Sequence, residues 1–237
     1  MSPNKICMTQ KPTFTRSIKS SEKKHHLHCA HLCKNIYYKK HDVLFNKHKN
    51  TLYIAIEGTD TVINWIDNIS VAFKTNDIHR GFLRYANYCM HEYDLINNIE
   101  DIDRVTICGH SLGSASATLL AYHMCKESET NDVELPPNIE LVLFGCPKIG
   151  GETFKNEFNR LVKKSGLKIT NYQNDGDLVC SIPFGFLGYH TTFQDSDTVF
   201  MQTSYKPVWD ISDHYMSEYI NNVENLQEYH YDNDQHQ

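Results

Sequence analysis

The sequence of 237 residues contains no apolar run long enough to span a bilayer, so we expect no transmembrane helix. It has no basic stripe, and its net charge of −6 argues against nucleic acid as a partner. Residues 1–21 are polar and lack the apolar segment of a secretory signal. Together these absences favour a cytoplasmic location.

The chain also lacks the clustered cysteines of a small disulfide scaffold. Its eight cysteines are spread along the sequence, and Cys108 and Cys125 fall in apolar segments. This distribution favours buried free thiols over a disulfide framework. No repeat or long linker divides the chain, and 40% of its residues are hydrophobic. We therefore expect one domain over residues 1–237, with a catalytic core at about 40–222.

Two kinds of apolar segment alternate along the chain, and this alternation indicates the fold class. Short β-branched or aromatic runs predict strands at 43–45, 51–56, 104–108, 139–144 and 167–172, with edge strands at 191–193 and 198–203. Periodic segments predict helices at about 20–38, 81–99, 112–126, 152–165 and 212–223. Strands alternating with helices predict an α/β fold, with a mainly parallel central sheet and helices on both faces.

The most informative motif is Gly109-His110-Ser111-Leu112-Gly113. It lies between the strand predicted at 104–108 and the helix predicted at 112–126, which is the setting of a nucleophile elbow. In such a sharp turn, the second residue before the serine and the second residue after it must both lack a bulky side chain. The helix that follows directs its free N–H groups towards any oxyanion formed near Ser111.

A serine hydroxyl becomes a good nucleophile only when a base takes its proton and a carboxylate orients that base. In α/β-hydrolases these groups follow in the order serine, acid, histidine. Asp177 and His214 lie downstream of Ser111 in loops expected at the same sheet edge. From the residues alone, Asp175 is a rival acid and His190 is a rival base.

Further motifs occur in order around this elbow. They are Ile56-Glu57-Gly58-Thr59 with Asn64-Trp65-Ile66-Asp67; His79-Arg80-Gly81-Phe82; Phe144-Gly145-Cys146-Pro147-Lys148-Ile149-Gly150; Asn174-x-x-Asp177-Leu178-Val179 with Pro183 and Gly188-Tyr189-His190; and Asp213-His214 before Tyr219. Over about residues 40–222 the ordered set resembles the lipase class 3 family, the fungal triacylglycerol lipase-like α/β-hydrolases. A single motif would be unspecific, whereas the ordered set is highly specific.

The resemblance implies an α/β-hydrolase fold and the hydrolysis of carboxylic esters through an acyl-enzyme. Ser111 would be the nucleophile, Asp177 the acid and His214 the base. The N–H groups of Leu112 and Thr59, with the Thr59 hydroxyl, would form the oxyanion hole. The expected substrate is an acylglycerol or another lipid ester, and no cofactor is expected. The alternatives are an esterase for small soluble esters and a catalytically silent fold used as an interaction module.

The resemblance also separates the rival residues. The spacing around Asp177 matches the acid loop of the family, which favours it over Asp175. His190 matches a family histidine that is usually structural, which favours His214 as the base. The chain departs from the family at Glu57, where a basic residue is common, and at Cys180, where proline is common. Neither change removes a catalytic group.

Two other segments invite functional hypotheses. Histidines and cysteines crowd residues 25–33, but on a helix they scatter around the axis instead of converging, so no metal site is expected. In residues 61–69, the apolar side chains of Val62, Trp65, Ile66 and Ile69 would share one helical face. That face would suit either a lid that makes transient contact with a lipid interface or an ordinary packing helix.

Overall fold

A computed structural model describes residues 18–39, 41–48, 50–58, 73–94, 102–130, 134–201 and 211–226. The strands of its main sheet are β1 (Val43–His48), β2 (Thr51–Ile56), β5 (Arg104–His110), β6 (Asn138–Phe144), β7 (Lys168–Asn174) and β8 (Thr198–Met201). These six strands lie side by side in the order β1-β2-β5-β6-β7-β8. Only β1 runs antiparallel to its neighbour, and a small hairpin is formed by β3 (Lys74–Thr75) and β4 (Ile78–His79).

Helices cover both faces of this sheet. The helices are α1 (Ser20–Lys39), α2 (Arg80–Glu92), α3 (Leu112–Thr130), α4 (Glu152–Ser165) and α5 (Met216–Glu224). Side chains that alternate along the central strands divide into two apolar clusters, because successive residues of a strand point to opposite faces. One cluster joins the sheet to α2, α3 and α4, and the other joins it to α1 and α5. The predicted α/β architecture is confirmed.

Two of the predicted elements differ from the structure. The helix predicted at 81–99 ends at Glu92, because Asp94 has a φ of 47° that a right-handed helix cannot accommodate. Residues 95–99 of that prediction lie outside the described residues. The predicted edge strand at 191–193 is wrong, because these residues form no strand. Phe193 instead packs edge-on against Phe158, at 6.2 Å between ring centroids.

The parallel strands bring several loops to one edge of the sheet. In register, His110 at the end of β5 lies beside Phe144 at the end of β6, which lies beside Tyr172 of β7. The segment after each strand therefore leaves the sheet in the same region. Ser111, Gly145 and Asp177 are all carried by these three segments.

Two further expectations concern apolar helices and cysteines. None of the helices described is both long and apolar enough to cross a membrane. The seven cysteines within the described ranges are free thiols, as the sequence predicts, and six of them are buried.

Candidate active site

Ser111 occupies a strained turn between β5 and α3. Its φ is 59°, in the left-handed region that residues other than glycine rarely adopt. The turn is held because the Ser111 N–H donates to the Phe144 carbonyl at 3.0 Å. A Cβ atom on Gly109 would collide with the backbone of Gly113, so the elbow can close only with glycine at this position.

Three of the predicted site residues form one hydrogen-bonded chain. The Nε2 atom of His214 lies 2.9 Å from Ser111 Oγ, and its Nδ1 atom lies 2.7 Å from Asp177 Oδ2. All three side chains are buried. An ionised carboxylate only accepts hydrogen bonds, so Nδ1 carries the proton and Nε2 is free to accept from the serine hydroxyl. This arrangement can withdraw a proton from Ser111 as its oxygen attacks a carbonyl carbon.

The two oxygens of Asp177 have different partners. Oδ2 faces His214, while Oδ1 accepts from the Val179 N–H at 2.9 Å and caps the turn that follows. Asp177 therefore caps a turn with one oxygen and contacts the histidine with the other. Burial would raise the pKa of Asp177, but the charge and hydrogen bond of His214, with the Tyr219 hydroxyl and the Val179 N–H, lower it overall.

Tyr219, which in the sequence only marks the end of the histidine motif, contacts the carboxylate of Asp177. Its hydroxyl donates to Asp177 Oδ2 at 2.6 Å and accepts from the Asn174 N–H at 3.2 Å. Burial, followed by the nearby Asp177 charge, raises the pKa of Tyr219 well above its ordinary value, so the hydroxyl stays a donor. The Asn174 side chain also donates to the Asp213 carbonyl at 2.7 Å, next to His214.

His110, the residue before the serine, positions the backbone of His214. Burial, followed by repulsion from His214, lowers the pKa of His110 to about 3, so its ring is neutral. Its Nε2–H donates to the His214 carbonyl at 2.7 Å. Its Nδ1 atom must then be the acceptor, and the Tyr37 hydroxyl donates to it from α1 at 2.7 Å.

Gly145 provides room for the acid and the base. It has a φ of 60°, and a Cβ atom placed on it would lie 2.8 Å from Asp177 Oδ2 and 3.1 Å from His214 Nδ1. A side chain here would push apart the two groups that must touch. The chemical reason for a glycine after β6 is therefore the close approach of the pair to the backbone.

The remaining predicted residues fall into three groups. Leu112 is the first residue of α3, so its N–H is one of those that a helix leaves without an intrahelical partner. Thr59 lies outside the described residues, and its role stays a prediction. The rivals are placed elsewhere: Asp175 is exposed, and His190 pairs with Glu152 at 3.4 Å.

Residues 53–187 match the family model described as lipase (class 3). The chain is 26% identical over 133 residues to the phospholipase A1-IIdelta of Arabidopsis thaliana, covering 56% of this chain and 31% of that protein. It is 27% identical over 175 residues to the lipase of Rhizomucor miehei, covering 66% of this chain and 46% of that protein. The chain thus spans less than half the length of these two relatives.

Solved structures show the same fold. The native Rhizomucor miehei lipase propeptide complex superposes with a TM-score of 0.58 at 20% identity, covering 73% of this chain and 67% of that one. The lipase of Rhizopus microsporus var. chinensis gives a TM-score of 0.58 at 19% identity, covering 81% and 77%. The predicted α/β-hydrolase fold is confirmed, and the chain belongs to the lipase (class 3) family.

Proposed function

We propose that this protein hydrolyses carboxylic esters of lipids through an acyl-enzyme formed on Ser111. The observation that carries the proposal is the buried hydrogen-bonded chain from Ser111 through His214 to Asp177, at a strained elbow. Membership of the lipase (class 3) family supports the same chemistry.

The proposed reaction follows from the hydrogen bonds. Ser111 Oγ attacks the ester carbonyl while its proton passes to His214 Nε2, and Asp177 stabilises the imidazolium. The N–H groups of Leu112 and Thr59 would donate to the oxyanion, and one such donor is commonly worth a factor of about 10²–10³ in rate. The alcohol leaves with the proton of His214, and water then releases the acid by the same steps.

The names of the relatives support a lipid as substrate. They include a phospholipase A1, a lipase, and a secreted mono- and diacylglycerol lipase from Fusarium solani, at 26% identity over 118 residues. We therefore propose an acylglycerol or a related glycerolipid ester as the substrate class.

Access to the nucleophile is part of the proposal. Ser111 has a relative exposure of 0%, and we propose that part of the chain moves aside before an ester reaches Oγ. The predicted lid at 61–69 lies outside the described residues and stays a prediction. If it is the moving part, tributyrin hydrolysis will rise sharply above the solubility limit and Trp65→Ala will weaken that rise. Simple saturation through the limit would point to the esterase alternative.

A fluorophosphonate probe tests the nucleophile directly. We expect the probe to label Ser111, and Ser111→Ala to lose both labelling and about a millionfold in turnover. Mass spectrometry that places the adduct on another serine would contradict the proposal. A folded wild-type protein that resists the probe and hydrolyses no ester would favour a silent interaction module.

The base is tested by a matched pair of histidine variants. His214→Ala should abolish turnover of p-nitrophenyl esters, whereas His190→Ala should keep most of it because its ring pairs with Glu152. Circular dichroism is used to check that both variants fold. The opposite ranking would show that the base is assigned wrongly, and a panel of short to long acyl chains would separate lipid from small-ester preference.

A further inference from the structure

A second polar cluster lies between α1 and the sheet, away from the proposed triad. His25 Nε2 lies 3.0 Å from one carboxylate oxygen of Glu140, and His26 Nε2 lies 3.0 Å from the other. Potential ligand atoms of the three residues lie within 4.8 Å of one another. Glu140 precedes Phe144 by four residues along β6, so the cluster is about 13 Å from the end of the strand that borders the elbow.

Each histidine ring is oriented by a tyrosine. The Tyr53 hydroxyl lies 2.9 Å from His25 Nδ1, and the Tyr172 hydroxyl lies 2.8 Å from His26 Nδ1. Both Nε2 atoms are thereby directed at the same carboxylate. The side chain of His26 is fully buried, whereas those of His25 and Glu140 keep 17% and 14% of their surface exposed. The cluster is preorganised and remains accessible from one side.

This donor set matches the coordination chemistry of zinc. Zinc binds imidazole nitrogen and carboxylate oxygen at about 2.0–2.2 Å, so two ligands of a tetrahedral ion are about 3.3 Å apart. Each Nε2 atom lies 3.0 Å from a different oxygen of Glu140, close to this spacing, and all the candidate ligand atoms lie within 4.8 Å of one another. Zinc-bound histidines almost always donate their other ring N–H to an oxygen, the position that the hydroxyls of Tyr53 and Tyr172 occupy.

We propose that His25, His26 and Glu140 bind one divalent zinc ion that fastens α1 to the sheet. Water would take the fourth position, close to the Thr106 hydroxyl, which lies 3.3 Å from His25 Nε2. Without the ion, Nε2 of each ring is hydrogen-bonded to Glu140 and Nδ1 to a tyrosine hydroxyl. With the ion, the Nε2 lone pair binds zinc and the ring proton sits on Nδ1, so a proton that stood on Nε2 moves to Nδ1 and is donated to the tyrosine oxygen.

The proposed role is structural. The cluster joins α1 to β6 at a distance from Ser111, so the ion would raise stability without touching the ester. It is independent of the proposed hydrolysis, since neither the triad nor the oxyanion donors take part.

Zinc binding to the full, metal-depleted chain tests the proposal by calorimetry. We expect one tight equivalent in the wild type, weakened at least about 100-fold in Glu140→Gln and in His26→Gln, because each change removes a ligand. The control is His31→Gln, an exposed histidine on the same helix, which should bind like the wild type. Tyr172→Phe should weaken binding about 10-fold, since it removes the partner of Nδ1.

Cobalt(II) absorption and zinc X-ray absorption of the wild type keep the test valid even where a variant fails to fold. We expect a shell of nitrogen and oxygen that includes two imidazoles. Sulfur in that shell would overturn the assignment in favour of the cysteines of α1. Absence of a tight equivalent in the wild type, or equal affinity in the wild type and Glu140→Gln, would also overturn it.

Discussion

Removing the hydroxyl of Tyr219 isolates how the acid is held. Tyr219→Phe keeps the buried ring and deletes the hydrogen bond donated to Asp177 Oδ2 at 2.6 Å and the one accepted from the Asn174 N–H at 3.2 Å. It also removes the weaker contact with Cys180 Sγ at 3.9 Å. Asp177 keeps its contacts with His214 and with the Val179 N–H. The variant therefore loosens the carboxylate without removing it.

The magnitude follows from these two bonds. A hydrogen bond to a charged group contributes about 1.5–3 kcal/mol, and a buried N–H left without a partner costs about 1–3 kcal/mol. We expect the free energy of unfolding to fall by about 3 kcal/mol. Turnover should fall about 10- to 100-fold, because the carboxylate that orients His214 loses one of its donors. This loss is far smaller than the factor of about 10⁴ expected when the acid itself is replaced by an amide.

Urea unfolding and the rate of p-nitrophenyl butyrate hydrolysis measure the two effects. Tyr38→Phe is the matched control, since its ring is 75% exposed, and it should change neither quantity. A variant with lower stability but an unchanged rate would refute the positioning role.

Three further outcomes are expected. Gly145→Ala should lower the free energy of unfolding by about 3 kcal/mol and abolish ester turnover. Its Cβ atom would lie 2.8 Å from Asp177 Oδ2, on a backbone with a φ of 60°. Urea unfolding that does not differ from that of the wild type would contradict this expectation. Burial lowers the pKa of His79 to about 4, so the unfolded chain takes up this proton first and stability falls from about pH 6.5 towards pH 4. His79→Asn keeps a helix-capping acceptor and should show a shallower fall when unfolding is compared at pH 6.5 and 4.5. Extensive EDTA treatment should lower the melting temperature yet leave ester turnover unchanged, since the cluster of His25, His26 and Glu140 is remote from Ser111. Turnover that is lost with EDTA and restored by zinc would show that a metal ion is needed for hydrolysis.

The elements that local patterns can specify were predictable from the sequence. The strand, elbow and helix around Ser111 follow from neighbouring residues. The order of motifs predicted Asp177 and His214 as acid and base, and their side chains lie 2.7 Å apart in the structure. The end of α2 and the path of residues 191–193 were not, because they depend on Asp94 and on the packing of Phe193. Local pattern does not contain these tertiary constraints.

At the proposed triad and at the cluster of His25, His26 and Glu140, the contacts that the sequence did not predict join residues far apart in the chain or on different elements. Tyr219 stands five residues after His214, and only the fold shows that its hydroxyl reaches Asp177. The sequence analysis considered the histidines of α1 together as possible metal ligands. The partner that His25 and His26 share is Glu140, 114 residues beyond His26. No spacing rule pairs residues so far apart.

Helix α1 contacts a polar cluster at two of its residues, so the length of helix between them fixes how far apart these contacts lie. His26 meets Glu140 near one end, and Tyr37 meets His110 beside the proposed site near the other. Tyr37 follows His26 by eleven positions, which correspond to about 16 Å of helix, and inserting one residue would turn one end by about 100° relative to the other. Substitutions on the exposed side of α1 should therefore be tolerated far better than any insertion or deletion between these two positions.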